Sequence, residues 1–241
     1  MHENHSLSNH KILSGSVLKL IAVITMLIDH IGYVFSALPI FRQPLFTVLG
    51  ETITIYFLLR KIGRLSFPIY CFLIGEGLRH TRSQVKYLLR LLVFAVISEI
   101  PYNLMVSGNL LCQAHQNVFF TLFLGALAIY FYQNIKNGLL KTVLMLAVLG
   151  ISVVLEADYG AAGVVAILLL YVLRDHPIVQ VVAGYSLFSG GIYAVVAFIP
   201  INMYNGRRGF IQSPILKYAF YLFYPLHILL LLAIKQLLLN R

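Results

Sequence analysis

Long apolar segments follow one another along the whole chain, and they restrict its fold more than any other feature. Runs of about 15–20 apolar residues recur from end to end, the length that a helix needs to cross a bilayer. Of the 241 residues, 60% are hydrophobic and 11% are charged, too few charges to cover a soluble domain. Because lipid forces backbone polar groups to pair internally, we predict an all-α fold, a polytopic transmembrane helical bundle of about 8–10 spans.

The apolar runs and the loops between them locate the helices. We predict a cytoplasmic N-terminal tail, 1–16, followed by a single transmembrane domain, 17–241. The stretch 44–59 is short and polar enough to be either a ninth span or a helix lying in the outer interface. The stretch 178–202 has FSGG at its centre, which suggests two half-helices. The predicted helices are 17–37, 64–79, 86–106, 117–133, 139–156, 160–174, 178–202 and 214–238.

Basic residues set the expected orientation. The loop RHTRSQVKYLLR carries the densest short cluster of Lys and Arg, so we place it and the N-terminus in the cytoplasm. Counting membrane crossings back from this loop puts the N-terminus in the cytoplasm only if 44–59 does not span the membrane. Arg207 and Arg208 lie on the cytoplasmic side only if 178–202 crosses the membrane twice. The net charge of +10 then reflects basic loops facing an anionic leaflet of membrane lipids rather than nucleic-acid binding. Two cysteines suggest neither a disulfide framework nor a metal site.

Lys19 and His30 occupy one face of the first helix, KLIAVITMLIDHIGYVF. Their separation, 30 − 19 = 11 residues, is about three turns, so they are about 16 Å apart along the axis. Asp29 is adjacent to His30, and neighbouring residues do not face each other on a helix. Two ionisable groups at one depth are costly in lipid, which favours a functional role over a purely structural one.

The segment RKIGRLSFPIYCFLIGEGLRH contains three cations close together. Arg60 and Lys61 lie four and three residues before Arg64, spacings at which like charges repel unless an anionic partner is shared. A phosphate or a carboxylate would serve as that partner. Glu76 lies three and four residues before Arg79 and His80, so it is either a binding residue or half of a local ion pair.

Three further groups interrupt the apolar pattern. Glu99 precedes Pro101, which frees a backbone carbonyl, and it is either part of a site or a structural partner of Arg64. Tyr224 and His227 share one face of the last helix. The segment INMYNGRRG is either a phosphate or lipid head-group site or an ordinary basic loop.

The order of these motifs resembles the TraX family. The matching segments are LKLIAVITMLIDHIGYVF, RKIGRLSFPIYCFLIGEGLRHT, KYLLRLLVFAVISEIPYNL, QNVFFTLFLGALA, YNGRRG and KYAFYLFYPLHILLL. That family is named for an enzyme that acetylates the N-terminal amine of a conjugative pilin. It is also similar to broader transmembrane acyltransferases, which carry a basic residue and a histidine 11 apart on the first helix, usually with Arg where this chain has Lys19. A second basic pair of theirs corresponds to Lys61 and Arg64.

The resemblance implies a multi-pass acetyltransferase of the bacterial inner membrane. Acetyl-CoA would be the acyl donor, without a metal, and a protein, glycan or lipid the N- or O-acetyl acceptor. An imidazole suits the general base, so we expect His30 to deprotonate the acceptor while basic groups hold the donor. The predicted catalytic residues are His30, Asp29, Arg64, Glu99 and His227. The predicted substrate-binding residues are Lys19, Lys61, Glu76, Tyr102, Asn117, Tyr224, Asn205, Arg207 and Arg208.

A transporter is the alternative interpretation. Polar residues scattered over several helices also suit a secondary transporter or an ion- or proton-coupled carrier. No inverted repeat is visible, and a conducting path does not need the Lys19–His30 spacing. A binding or assembly protein for a membrane partner is a third possibility.

Overall fold

A computed structural model describes residues 11–111, 115–188 and 191–239. Residues 1–10 of the predicted tail lie outside this range, as do Cys112 and the two central residues of FSGG. The helices are α1 (Gly15–Val34), α2 (Pro39–Arg42), α3 (Ile55–Gly63), α4 (Ser66–His80), α5 (Gln84–Val106), α6 (Val118–Asn134), α7 (Gly138–Val154), α8 (Gly160–Val172), α9 (Pro177–Leu187), α10 (Ile192–Val195), α11 (Phe198–Asn202) and α12 (Pro214–Leu239); the strands are β1 (Pro44–Val48) and β2 (Glu51–Thr54).

The prediction of an all-α membrane protein is confirmed. Within the described ranges, α1, α5 and α12 are long and apolar enough to cross a membrane, and five further apolar helical segments have 10–17 residues. One large core, to which α1, α4, α5, α6, α8 and α12 contribute, lies between the helices. Many large apolar side chains on the outer faces are exposed, as expected where lipid replaces water.

Both helical interpretations of 44–59 are wrong for most of that stretch. Residues 44–54 form an antiparallel hairpin in which Val48 pairs with Glu51. Leu49 and Gly50 have φ of 51° and 82°, the left-handed pair of a type I′ turn. The alternating β-branched residues of TITI favour an extended strand, and the helix begins only after Thr54, whose hydroxyl accepts a hydrogen bond from the Phe57 amide at 3.0 Å.

The prediction of two half-helices in 178–202 is confirmed. Helix α9 ends at Leu187, and the chain resumes at Gly191, where φ is +53°. A Cβ at Gly184 would lie 2.4 Å from the ring of Phe198, so α11 returns close beside α9. The chain therefore enters and leaves this region at the same end of the bundle.

The loop YNGRRG is bound to the start of α1. Its carbonyls accept hydrogen bonds from the first amides of the helix, Arg207 from Gly15 at 2.8 Å and Arg208 from Ser16 at 2.9 Å. These amides have no partner within a helix, so the loop caps α1. A Cβ at Gly209 would lie 2.3 Å from the Ser14 hydroxyl, which explains the glycine.

Helices α1, α5 and α12 run in the same direction. Phe94 of α5 stacks on Tyr221 of α12 with ring centroids 4.8 Å apart, and His30 contacts His227. We call the end at which these three helices begin the basic end. It carries the cations of the α4–α5 loop and of YNGRRG.

Candidate functional site

A cavity of about 410 Å³ lies between α1, α3, α4, α5 and α12 and the turn that joins α7 to α8. Its charged and imidazole groups are Asp29, His30, Arg60, Arg64 and Asp158, and its tyrosines are Tyr33, Tyr70, Tyr102, Tyr159 and Tyr224. A second depression of about 590 Å³ between α4, α5 and α6 has neither imidazole nor carboxylate in its lining. The first cavity is therefore the candidate site.

His227 lies behind His30 and determines how that ring is protonated. His30 Nδ1 is 2.6 Å from His227 Nε2, and the two rings are nearly parallel, 7° apart. His227 Nδ1 is 2.7 Å from the Phe223 carbonyl oxygen, which can only accept, so this nitrogen carries a hydrogen. With both rings neutral, His227 Nε2 accepts from the His30 Nδ1–H, and the lone pair of His30 is on Nε2.

The local sequence of α12 fixes His227. Phe223, one turn earlier, stacks on the imidazole with centroids 4.7 Å apart. Tyr224, which lines the cavity, is 5.9 Å from the His30 ring. Pro225 lies between Tyr224 and His227. It has no amide hydrogen, so one backbone hydrogen bond of this helical turn is missing. His227 is itself buried and is not part of the cavity lining.

Asp29 pairs with Arg60, not with His30. The Arg60 guanidinium donates a short hydrogen bond to the Asp29 carboxylate and lies 5.5 Å from the Tyr33 ring. A Cβ at Gly63 would lie 2.0 Å from the Asp29 carboxylate, so the close approach of α3 to α1 requires glycine there. Arg60 is a cavity residue that the predicted site omitted, although its repulsion with Arg64 indicated the need for an anionic partner.

Arg64 and Asp158 are the remaining charged groups of the cavity. The Arg64 guanidinium acts electrostatically on Asp29 and Asp158, but it makes no hydrogen bond or ion pair with any described side chain. Asp158 lines the cavity, and its side chain is exposed. Partial desolvation by the surrounding protein raises the pKa of the Asp158 carboxyl to about 6, and the charge of Asp29 adds to this effect.

Glu99 and Asn117 form a structural pair outside the cavity. Asn117 Nδ2 donates to Glu99 at 2.6 Å and to the Ala95 carbonyl at 2.8 Å. Its Oδ1 accepts from the Phe119 amide at 3.0 Å, which caps α6. The structure does not bring Glu99 to Arg64.

Glu76 and Lys61 also lie outside the cavity lining. Glu76 accepts from Arg79 at 2.7 Å and is 3.3 Å from His80, the local pair that the spacing allowed. The Lys61 ammonium lies 4.4 Å from the centroid of the Tyr193 ring and 4.9 Å from that of Phe57. Tyr102 lines the cavity.

Lys19 lies at the basic end with three further cations. Arg90, Arg208 and Lys217 are close enough to act electrostatically on it. The buried Nε of Arg90 has no hydrogen-bond partner among the described residues. Asn205 supports the same loop, because its Oδ1 accepts from the Arg207 amide at 2.9 Å. We refer to Lys19, Arg90, Arg208 and Lys217 as the cation cluster.

The predicted site did not include Asp158 and Tyr159, which line the cavity. They lie in the turn between α7 and α8, where the Tyr159 ring stacks on Phe67 with centroids 3.5 Å apart. The available signal was an acid followed by Tyr-Gly directly after an apolar run. No group of three His, Cys, Asp or Glu side chains within the described ranges could hold a metal ion.

The family described as "TraX protein" matches residues 14–235. The chain is 31% identical over 252 aligned positions to "Probable fimbrial assembly protein FimC, serogroup H1" of Dichelobacter nodosus, covering 92% of this chain and 96% of that protein. It is 28% identical over 165 positions to "Uncharacterized protein RP591" of Rickettsia prowazekii (strain Madrid E), covering 66% of this chain and 55% of that protein. No solved structure matches the chain.

Proposed function

The chain belongs to the TraX family, and from that premise we propose that it is a membrane-embedded acetyltransferase. It would transfer the acetyl group of acetyl-CoA to an amine or hydroxyl acceptor. The observation that supports this best is the contact between His30 Nδ1 and His227 Nε2, which leaves the lone pair of His30 on Nε2, at a cavity that Arg64 also lines. Membership in the family agrees with that chemistry.

His30 would act as the general base. As the acceptor attacks the thioester carbonyl, His30 Nε2 takes its proton, and the imidazolium that results keeps its Nδ1–H on His227 Nε2. The carbon–sulfur bond then breaks, and the thiolate takes the proton from His30. His227 keeps the imidazole oriented and stabilises its charged form, which makes it a positioning residue.

Arg64 would stabilise the tetrahedral adduct. The adduct places a negative charge on the former carbonyl oxygen, and a fixed cation in a cavity shielded from water favours that charge strongly. Since Arg64 has no hydrogen-bonded partner among the described side chains, no existing bond must break first. The Tyr224 hydroxyl is the second candidate donor. Asp29 serves to hold Arg60 in place.

The donor would enter from the basic end. Positively charged loops favour the cytoplasmic side, and acetyl-CoA is made in the cytoplasm. The cation cluster would bind the phosphates of the nucleotide, and the pantetheine arm would extend toward His30, about 16 Å farther along α1. On this proposal the protein would lie in the bacterial inner membrane with its N-terminus in the cytoplasm.

The acceptor would reach the cavity from the opposite end. The printed name of the Dichelobacter nodosus relative is a fimbrial assembly protein. A pilus subunit is therefore the first acceptor to test for this chain.

Mass spectrometry of envelope proteins tests the proposal. Cells that lack the gene are complemented with the wild-type chain, with His30→Ala, or with His176→Ala, which removes an exposed imidazole outside the cavity. We expect acetylated product with the wild type and His176→Ala and none with His30→Ala, although all three are inserted at equal levels. Near-normal product with His30→Ala would disprove the base role.

Thermal unfolding of the purified protein in detergent separates the enzyme from a transporter. We expect acetyl-CoA and CoA to stabilise the wild type, and ATP to do so much less. If neither CoA species shifts the unfolding temperature, the acetyltransferase proposal fails.

A further inference from the structure

The depression of about 590 Å³ between α4, α5 and α6 lies at the basic end, apart from the candidate site. The end of α4, the start of α5 and the end of α6 form its walls. Arg79 and Arg82 line it, and no carboxylate does. The proposed acetyl transfer does not use this depression.

Hydrogen bonds between side chains hold one wall of the depression in place. Gln84 Nε2 donates to Gln133 at 2.5 Å, and Gln133 Nε2 donates to the Tyr171 hydroxyl at 2.6 Å. Asn134 Nδ2 donates to the Gln84 side-chain oxygen at 3.0 Å. These bonds join α5, α6 and α8, so the depression is a built feature of the fold.

The two arginines give the depression a positive charge. Arg82 is exposed, and its side chain forms no hydrogen bond or ion pair with any described residue. Arg79 donates to the Glu76 carboxylate at 2.7 Å, so one acid offsets only one of the two cations. Asp175, which also acts electrostatically on Arg79, lies 3.6 Å from Arg174. Because guanidinium groups match the oxygens of phosphate, the depression fits a phosphate group.

An exposed apolar face of α5 begins at the depression. Its residues recur every three or four positions, so they lie on one side of the helix. The first of them, Val85, also lines the depression. The face extends about 22 Å along the axis, more than the roughly 15 Å of one leaflet. Each of its five residues is between 46% and 53% exposed: Val85, Leu89, Val93, Ile97 and Ile100.

The depression lies at the depth of lipid head groups. Helix α5 has 23 residues, which makes it about 34 Å long, close to the roughly 30 Å of the hydrocarbon core. Its first residues line the depression. When α5 spans a bilayer, the depression therefore lies at one edge of the hydrocarbon and the apolar face lies within it.

We propose that the depression and the apolar face of α5 together bind one anionic phospholipid. Arg79 and Arg82 bind the phosphodiester, and an acyl chain lies along the apolar face. A soluble phosphate compound would contact the arginines but leave the apolar face unused, which favours a lipid. A zwitterionic lipid carries an ammonium group for which the lining has no carboxylate, so a head group with a net negative charge fits better.

Native mass spectrometry of the delipidated full chain in detergent tests this proposal. The protein is titrated with dioleoyl phosphatidylglycerol or dioleoyl phosphatidylcholine, which have identical acyl chains. Arg82→Gln removes a cation whose side chain has no described partner, so folding should be unaffected. Lys136→Gln is the matched control, because it removes an exposed cation between α6 and α7 that is outside the lining.

We expect the wild type and Lys136→Gln to bind the first phosphatidylglycerol at least about tenfold more tightly than phosphatidylcholine. In Arg82→Gln this preference should fall to about threefold or less, with phosphatidylcholine binding unchanged. Equal binding of the two lipids by the wild type would indicate ordinary lipid around the helices and would overturn the proposal. An undiminished preference in Arg82→Gln would overturn it as well.

Competition experiments distinguish a lipid from a soluble phosphate compound. Glycerol 3-phosphate, which has the phosphate but no acyl chains, should not displace bound phosphatidylglycerol even in excess. Acetyl-CoA, which the proposed function assigns to the cation cluster, should not displace it either. Displacement by either compound would show that the depression takes a soluble phosphate ligand and would contradict the lipid site.

Discussion

His30 Nδ1 lies 2.6 Å from His227 Nε2, and this contact joins the first and last long helices of the chain at the cavity. Because His227 Nδ1 bonds the Phe223 carbonyl, the direction of the hydrogen bond between the two rings is set. The unprotonated nitrogen of His30 is then the one that a substrate can meet. Two residues 197 positions apart thus form one unit.

His227→Ala tests that unit. Without an acceptor for its Nδ1–H, His30 can rotate or adopt the other tautomer, so we expect kcat to fall about 10- to 100-fold with little change in the KM for acetyl-CoA. His227→Gln, whose amide oxygen can accept the same hydrogen bond, should recover part of the loss. Transfer rates measured by mass spectrometry decide this, and an unchanged kcat in His227→Ala would contradict the positioning role.

The second prediction concerns Arg64, which would stabilise the negative charge of the tetrahedral adduct. Arg64→Gln should lower kcat about 100-fold or more while donor binding stays near normal, because the charge it meets exists only in the adduct. Arg64→Lys keeps the charge and should retain more activity. If Arg64→Gln instead raised only the KM for acetyl-CoA, Arg64 would be a donor-binding residue.

The Asp29–Arg60 pair should contribute to stability. Asp29→Asn and Arg60→Gln each leave a partly buried group without its partner, and we expect each to lower the free energy of unfolding by about 1–3 kcal/mol. The double variant should lose less than the sum of the two. Denaturation in detergent measures the three values, and strict additivity would contradict a direct pair.

Glycine at 63 provides a matched packing test. Gly63→Ala places a methyl group 2.0 Å from the Asp29 carboxylate, and we expect it to cost about 1–3 kcal/mol of unfolding free energy. Gly150→Ala, in α7 with nothing within 4 Å of the new Cβ, should instead stabilise the protein by about 0.5–1 kcal/mol. Equal effects would show that α1 and α3 are not closely packed here.

The cation cluster yields a prediction on donor affinity. Arg208→Gln and Lys217→Gln should each raise the KM for acetyl-CoA about 3- to 10-fold with kcat unchanged, and added salt should reduce the difference. Arg174→Gln, an exposed cation beside Asp175, is the control. Equal KM values in all three variants would place the nucleotide elsewhere.

Features that depend on a few neighbouring residues could be predicted from the sequence. The helical period placed Lys19 and His30 on one face, and the spacing of Glu76 from Arg79 and His80 allowed the local pair that forms. The break at FSGG was also visible. The hairpin at 44–54 was missed because its length and hydropathy resemble those of a short helix, while the Leu-Gly turn determines the pairing.

The sequence by itself therefore determined a helical membrane protein with few, clustered ionisable groups, because lipid penalises every unpaired polar group wherever the chain places it. Only the tertiary structure decided which of these groups meet. Asp29 pairs with Arg60 rather than His30, Glu99 with Asn117 rather than Arg64, and His30 with His227. Such contacts depend on the relative rotation and depth of separate helices, which side-chain packing sets and no local pattern contains.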